Sequence, residues 1–265
     1  MLDSSTGRVE VDAAVTRKAP MYDSAEETAR LDELAAKLTL DEKVQLLTGR
    51  DFWTTWPIEK IGLRRILVSD GPSGVRGEVW DERSPSLNLP SATALSSSWD
   101  RAVAARYGAA SAVEARRKGV DVVLGPTINL HRSPLGGRHF EAFSEDPLLT
   151  AELAAAYVSG VQENGVGATP KHYIANDYET ERFTANTVVS ERALRELYLL
   201  AFEKSITEAH AWLVMSSYNQ INGTTATRAS CSRRRWAPSG ASTASSSATG
   251  RLFAPSRAPR RRRIS

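Results

Sequence analysis

Four stretches of the sequence concentrate side chains that carry charge or exchange protons. The first is Ser69-Asp70-Gly71-Pro72-Ser73-Gly74-Val75-Arg76. The second spans 125–147 and holds Asn129, His131, Arg132, Arg138, His139, Glu141, Glu145 and Asp146. The third is Lys171-His172-Tyr173-Ile174-Ala175-Asn176-Asp177, with Glu179 and Arg182 close behind. The fourth is Met215-Ser216-Ser217-Tyr218-Asn219-Gln220-Ile221-Asn222-Gly223. A ligand rich in hydroxyls, such as a sugar, needs carboxylates that accept and Arg, Lys or His that donate. It also needs an aromatic or thioether wall for its C–H face. The same groups suit a small phosphorylated or carboxylated metabolite, because Arg76, Arg138, Lys171 and Arg182 would hold an anion. Taken alone, these residues describe a polar-ligand enzyme.

Each stretch follows a short β-type run: Ile66-Leu67-Val68, Val120–Leu124, residues 166–169, and Trp212-Leu213-Val214-Met215. Between them the spacing predicts helices. One covers about 101–118, capped by Asp100 and closed by Gly119; another runs from Asp146-Pro147 to about 164. A third, capped by Ser190, places Leu194, Leu197, Tyr198, Ala201, Phe202 and Ile206 on one face. Upstream, Ser24 with Glu27 and Thr39 with Glu42 read as capping boxes. Leu31, Leu34 and Leu38, then Leu40, Val44 and Leu47, repeat at helical spacing, and Gly49 reads as a stop.

Strand, polar loop and helix in repetition is the pattern of a parallel α/β fold. A (β/α)8 barrel would gather the polar stretches on one rim, and a doubly wound sheet would also put them at strand ends. Periodicity leaves both open. No GxGxxG or GxxxxGK(S/T) loop follows a strand, which disfavours nucleotide binding. His131, His139 and His210 show no metal-ligand spacing. Singly, Asp70 reads as a turn former, His172 as a core histidine, Arg138 with Glu141 as a rim ion pair, and Met215 with Tyr218 as packing. Glu141, Glu145 and Asp146 read as structural.

The chain has 265 residues, 41% hydrophobic and 25% charged, which places it among globular proteins and excludes collagen-like, coiled-coil or wholly disordered classes. No apolar run approaches the roughly 18 residues of a membrane span. One cysteine excludes a disulfide framework and a Cys-rich zinc site. MLDSSTGRVE has no basic lead with an apolar stretch, and the expected location is cytoplasmic. The net charge of +3 conceals an asymmetry: residues 228–265 hold ten arginines and no Lys, Asp or Glu. Removing those ten from the 34 basic residues leaves 24 against 31 acidic, a balance of −7 for 1–227. The high pI therefore comes from the last 38 residues and does not indicate a nucleic-acid partner for the body.

Together, DGPSGVR, GPTINLHRSPLGGRHFEAFSEDP, KHYIANDYETER and MSSYNQINGT resemble the amino-terminal domain of glycoside hydrolase family 3, the β-glucosidase and β-xylosidase family. The likeness covers roughly residues 27–227. It implies a (β/α)8 TIM-barrel-like domain and a retaining hydrolysis of terminal non-reducing β-D-glucosyl or β-D-xylosyl residues. The implied partner is a small β-glycoside or oligosaccharide, with no cofactor and no metal. On matching positions, Asp70 would accept from glycone hydroxyls with Arg76 and Arg138 around it. Lys171 and His172 would donate, Arg182 would support them, and Met215 and Tyr218 would line the pocket. The family's N-acetylhexosaminidases carry a Gly- and His-containing loop after the Lys-His pair. Here Tyr173-Ile174-Ala175-Asn176-Asp177 stands instead, which favours the glucosidase and xylosidase branch.

Retaining hydrolysis needs two carboxyl groups about 5–5.5 Å apart. The resemblance implies an Asp nucleophile in a Ser-Asp-Trp triplet after the strand that follows MSSYNQINGT, and an acid/base from a later segment. Neither is in these 265 residues, and no Asp or Glu occurs after Thr227. The expectation is therefore an incomplete barrel of about six of eight strand units over 23–227, inactive as it stands. A polar lead-in, 1–22, precedes it and a disordered Arg/Ser/Ala-rich tail, 228–265, follows it. Ten Arg, nine Ser and seven Ala among 38 residues are what GC-rich coding DNA yields in a wrong frame, so the tail reads as frameshifted. The alternatives are a noncatalytic sugar-binding fragment and a basic arm for nucleic acid.

Overall fold

The structure, a computed structural model, describes residues 25–230. The lead-in, the Ser24–Glu27 capping box and the arginine-rich segment beyond Ser230 lie outside the described residues. Four parallel strand positions form the wall that carries the site. β1 (Val68–Asp70) pairs with β2 (Val122–Leu124), Val68 opposite Val122 and Asp70 opposite Leu124, and β2 pairs with β3 (Gly167–Ala168). Thr169-Pro170 lead into β4 (Lys171–Tyr173), which pairs with β6 (Met215–Ser216). Thr169 N donates to Gly125 O, Lys171 N to Pro126 O, Leu213 N to Ala168 O and Met215 N to Pro170 O. Those bonds make β3 and β4 one continuous position.

The neighbour order is thus first, second, third, fourth, as in the chain. A doubly wound sheet would set the fourth strand, or the third, against the first. Consecutive parallel neighbours are the order of a (β/α)8 barrel, which settles what periodicity left open. The outer edge of β1 is covered by residues 53–55, with Val68 N donating to Trp53 O and Thr55 N to Ile66 O. Among the described residues there are eight short strands. Five make the four wall positions, and β5 (Asn186–Thr187), β7 (Gln220–Ile221) and β8 (Thr224–Thr225) form a separate sheet.

The helices follow from their caps. α3 (Ala92–Ser96) precedes α4 (Arg101–Arg117), where Asp100 accepts from Ala102 N and Val103 N. α5 (Pro147–Gln162) has Pro at its start, and Asp146 accepts from Leu148 N and Leu149 N. Ser190 caps the third, whose continuous course comprises α6 (Glu191–Ala193), a π turn at Leu194–Tyr198 and α7 (Leu200–Thr207). The π turn, absent from the expectation, still keeps Leu194, Ala201 and Phe202 buried. α4 and α5 touch through glycines. A Cβ at Gly108 would lie 2.3 Å from Tyr157 O, and one at Gly160 would lie 2.1 Å from Ala105 O. Side chains on the strands alternate. Leu67 and Val123 join the core against the helices, while Val68, Val122 and Leu124 face a second cluster with Trp53, Leu213 and Met215.

The upstream helices differ from the expectation in packing. The Thr39–Glu42 box of α2 (Leu40–Leu46) is formed, with Thr39 N donating to Glu42 Oε2 at 2.7 Å. Leu38, after α1 (Ala25–Ala36), is buried, yet Leu40 is 76% exposed and Val44 and Leu47 are exposed too. No described element packs on that stripe. α2 is capped at its C-terminus by Leu47, and Gly49 instead bridges Thr55. Ala226–Ser230 form a last helical turn, so 228–230 continue the structured part. No helix of the described residues is long and apolar enough to cross a membrane.

Candidate functional site

Asp70 closes β1 and Lys171 opens β4, two strand positions away. Thr127 lies between them, bridged in parallel to Lys171. Lys171 Nζ reaches Asp70 Oδ1 at 3.3 Å; the lysine side chain is 3% exposed and the aspartate 49%. The ammonium therefore forms the floor and the carboxylate the open lip. On its other side Lys171 Nζ is 3.9 Å from Glu141 Oε2. Glu141 is buried and also receives Thr127 Oγ1 at 3.0 Å and Arg138 Nε. Arg138 Nη1 reaches Glu179 Oε1 at 3.5 Å, and Glu179 takes Arg182 Nη1 at 2.7 Å and Asn176 Nδ2 at 3.1 Å.

The result is a row of alternating sign: Asp70, Lys171, Glu141, Arg138, Glu179, Arg182. It ends on aromatic rings, where the Arg182 guanidinium lies 5.1 Å from Phe183 and 5.5 Å from Tyr218, themselves 4.6 Å apart. Five of the eight expected ligand-binding residues (Asp70, Lys171, Arg138, Arg182 and Tyr218) thus stand in one contact row. His172 follows Lys171 on the same strand, and Met215 is paired with Lys171 across the ladder. Arg76 is tied to Asp70 through its backbone, Arg76 N donating to Asp70 O at 3.1 Å. Its guanidinium stacks 3.6 Å from the Trp53 ring centroid, and its Nε and Nη2 are shielded from water with no protein partner.

Sequence reasoning misses Glu141 and Glu179. Glu141 reads as loop structure or a weak rim pair, but the 3-10 turn His139–Glu141 leads into Ala142, which bridges Thr127 in parallel, and this sets Glu141 near Lys171. Thr93 Oγ1 pins that turn by donating to His139 O and Ala142 O, and His131 Nε2 lies 3.1 Å from the same two carbonyls. The i, i+3 spacings of Arg138 with Glu141 and of Glu179 with Arg182 are the available signals. Asp146 is the helix cap that its pattern predicts.

Burial, then the charges of Lys171, Arg138 and Arg182, holds His172 well below the ordinary 6.5, so its ring is neutral at pH 7. Arg138 keeps its charge because Glu141 and Glu179 more than offset its own burial. Beside His172 a cleft is lined by Thr127, Asn129, Leu130, Arg138 and Asp177. Burial pushes the Asp177 carboxyl up to about 6, although Leu130 N donates to it at 3.2 Å. Among the described residues no three His, Cys, Asp or Glu side chains are grouped to hold a metal. All three carboxylates in the row face cations, Glu141 and Glu179 two each and Asp70 only Lys171, and Asp70 is the most exposed of them. Asp70 is left to accept from a ligand, with Lys171, Arg138 and Arg182 as donors.

The family described as "Glycosyl hydrolase family 3 N terminal domain" matches residues 55–236. Beta-glucosidase B of Emericella nidulans is 47% identical over 196 residues, 74% of this chain and 23% of the relative. A beta-glucosidase of Rhizobium radiobacter is 49% identical over 197 residues, 73% of this chain and 24% of the relative. Among solved structures, beta-glucosidase 3B of Thermotoga neapolitana in complex with glucose superposes with a TM-score of 0.71 at 40% identity. It covers 75% of this chain and 30% of that one. The Kluyveromyces marxianus beta-glucosidase in complex with glucose gives 0.73 at 43% identity, over 74% and 24%. The chain spans about a quarter of the length of the curated relatives it matches.

Proposed function

From the premise that the chain belongs to glycosyl hydrolase family 3 through its N-terminal domain, we propose that the strand-tip row is the seat of a β-D-glucosyl or β-D-xylosyl residue. The observation that carries the reading is the pair of Asp70 and Lys171, a half-exposed acceptor over a buried donor, with Arg138 and Arg182 continuing the donor edge. A pyranose has adjacent hydroxyls that both accept and donate, and this edge offers both. The Phe183–Tyr218 pair, its rings tilted 41° to one another, supplies an aromatic flank. Relatives named beta-glucosidases, two of them holding glucose, support the assignment. The reaction of this class is hydrolysis of terminal non-reducing β-D-glycosyl residues with retention. The domain that serves it is 23–227.

These 265 residues contain no Ser-Asp-Trp triplet, and each of the row's three carboxylates is paired with a cation. The polypeptide of this sequence therefore holds the glycone without forming a glycosyl-enzyme. Titration calorimetry with D-glucose and D-xylose tests the first half: binding is expected in the wild type and lost in Asp70→Ala. A chromogenic aryl β-glucoside tests the second, and robust turnover by the purified chain would overturn it.

A further inference from the structure

The geometry points to His172 as a hydrogen-bond acceptor at the sugar site, with Asn129 the positioning residue that fixes its tautomer. The inference rests on the reading of the strand tips as the glycone seat. It reverses the direction expected for His172, which the family resemblance casts as a donor.

Asn129 is buried, and its carboxamide meets His172 three times. The His172 backbone N–H donates to Asn129 Oδ1 at 2.9 Å, Asn129 Nδ2 donates to the His172 carbonyl at 2.9 Å, and the ring Nδ1 lies 3.2 Å from the same Oδ1. A backbone N–H only donates and a carbonyl only accepts, so the amide has one orientation: oxygen toward the N–H, nitrogen toward the carbonyl. Oδ1 in turn only accepts, so the hydrogen in the ring contact sits on Nδ1. The ring is neutral, for the reasons given above. A neutral imidazole protonated at Nδ1 carries a lone pair at Nε2. Among the described residues Nε2 has no hydrogen-bond partner, and the ring lines the cleft.

Lys171 can only donate and His172, so fixed, can only accept. The Lys171 and Arg138 charges lie near enough to the His172 ring to lower its pKa, and Arg138 both lines the cleft of His172 and continues the row from Lys171. Ammonium and imidazole thus offer opposite polarity to one polyol: one hydroxyl accepts from the ammonium, another donates to the imidazole. A sugar satisfies both. A sugar with fluorine in place of the donating hydroxyl cannot, because fluorine has no hydrogen to give and leaves Nε2 unpaired.

The test uses the full chain. With ring-15N histidine and the His172 signals assigned through His172→Gln, NMR at pH 7 is expected to show a pyrrole-type Nδ1 and a pyridine-type Nε2. An Nε2–H tautomer or an imidazolium overturns the inference, and this measurement on the wild type needs no variant to fold. D-Glucose and its monofluoro-deoxy analogues are then titrated. Fluorine at hydroxyls that donate to Asp70 weakens binding in every protein in which Asp70 is intact. One further position is expected to lose at least tenfold in wild type and under threefold in Asn129→Leu, whose thermal midpoint is followed in parallel. Equal penalties in both proteins, or none beyond those tied to Asp70, refute the role of Asn129. If glucose fails to bind the wild type, the glycone seat falls, while the ring tautomer still decides what Asn129 does to His172.

Discussion

Replacing Asp177 by Asn removes a charge that the fold holds at a disadvantage. The carboxyl is buried behind the cleft and its pKa rises from 3.8 to about 6 because water is excluded. The direction of the linkage follows from the proton count. Between pH 3.8 and 6 the folded chain binds a proton that the unfolded chain has released, so stability is present in full below about pH 4 and is lost as pH rises through about 6. At about 1.36 kcal/mol per pH unit, a shift of roughly two units costs about 3 kcal/mol at pH 7. The carboxamide of the variant keeps an oxygen to accept from Leu130 N and remains compatible with Tyr198, which also bonds Asp177. Thermal unfolding followed by circular dichroism from pH 4 to 8 is the assay. Asp177→Asn is expected to melt higher than wild type at pH 7, by roughly 6–12 °C at that full value for a domain of this size. It should also flatten the decline between pH 4 and 6. A variant that melts lower at pH 7 with an unchanged pH slope would show that the carboxylate is charge-stabilised, contrary to the argument.

Three further outcomes follow from the geometry. Glu141→Gln preserves volume and the Thr127 contact but leaves Lys171 and Arg138 with one fewer counter-charge. Urea unfolding should show a loss of about 3 kcal/mol and calorimetry a weaker glucose affinity. Gly160→Ala drives a methyl into the Ala105 carbonyl across the α4–α5 contact, and is expected to cost about 1–3 kcal/mol in the same assay. Asp146→Ala removes the acceptor of two amide groups at the start of α5 and should lower the melting point by about 2–4 °C, corresponding to about 1 kcal/mol.

What was legible in the sequence was written locally. Asp100, Asp146-Pro147, Ser190 and the left-handed Gly119 act within three residues of themselves, and each is where its pattern put it. The exposed stripe of Leu40, Val44 and Leu47 reads the same as a buried one, because periodicity reports an apolar face and not its neighbour. Strand order was invisible for a similar reason, being set by ladder bonds such as Leu213 N to Ala168 O between distant segments. The joint resemblance had grouped Asp70, Arg138, Lys171, Arg182 and Tyr218, which the structure sets in one contact row. Glu141 was not among them, since its place in the row depends on a bridge to Thr127 that brings it to Lys171, thirty positions away, where a weak surface pair becomes a buried one. The stacking of Arg76 on Trp53 was not legible, because Trp53 comes from a segment that no motif included.

The contact between Asp70 and Lys171 joins positions 101 residues apart. During synthesis at about 5–20 residues per second, the aspartate leaves the ribosome roughly 5–20 seconds before the ammonium that faces it. Through that interval a nascent chain lacks the buried donor of the proposed glycone seat. Any ligand that needs both groups can therefore reward only a chain that has already folded this far, and cannot guide its first half.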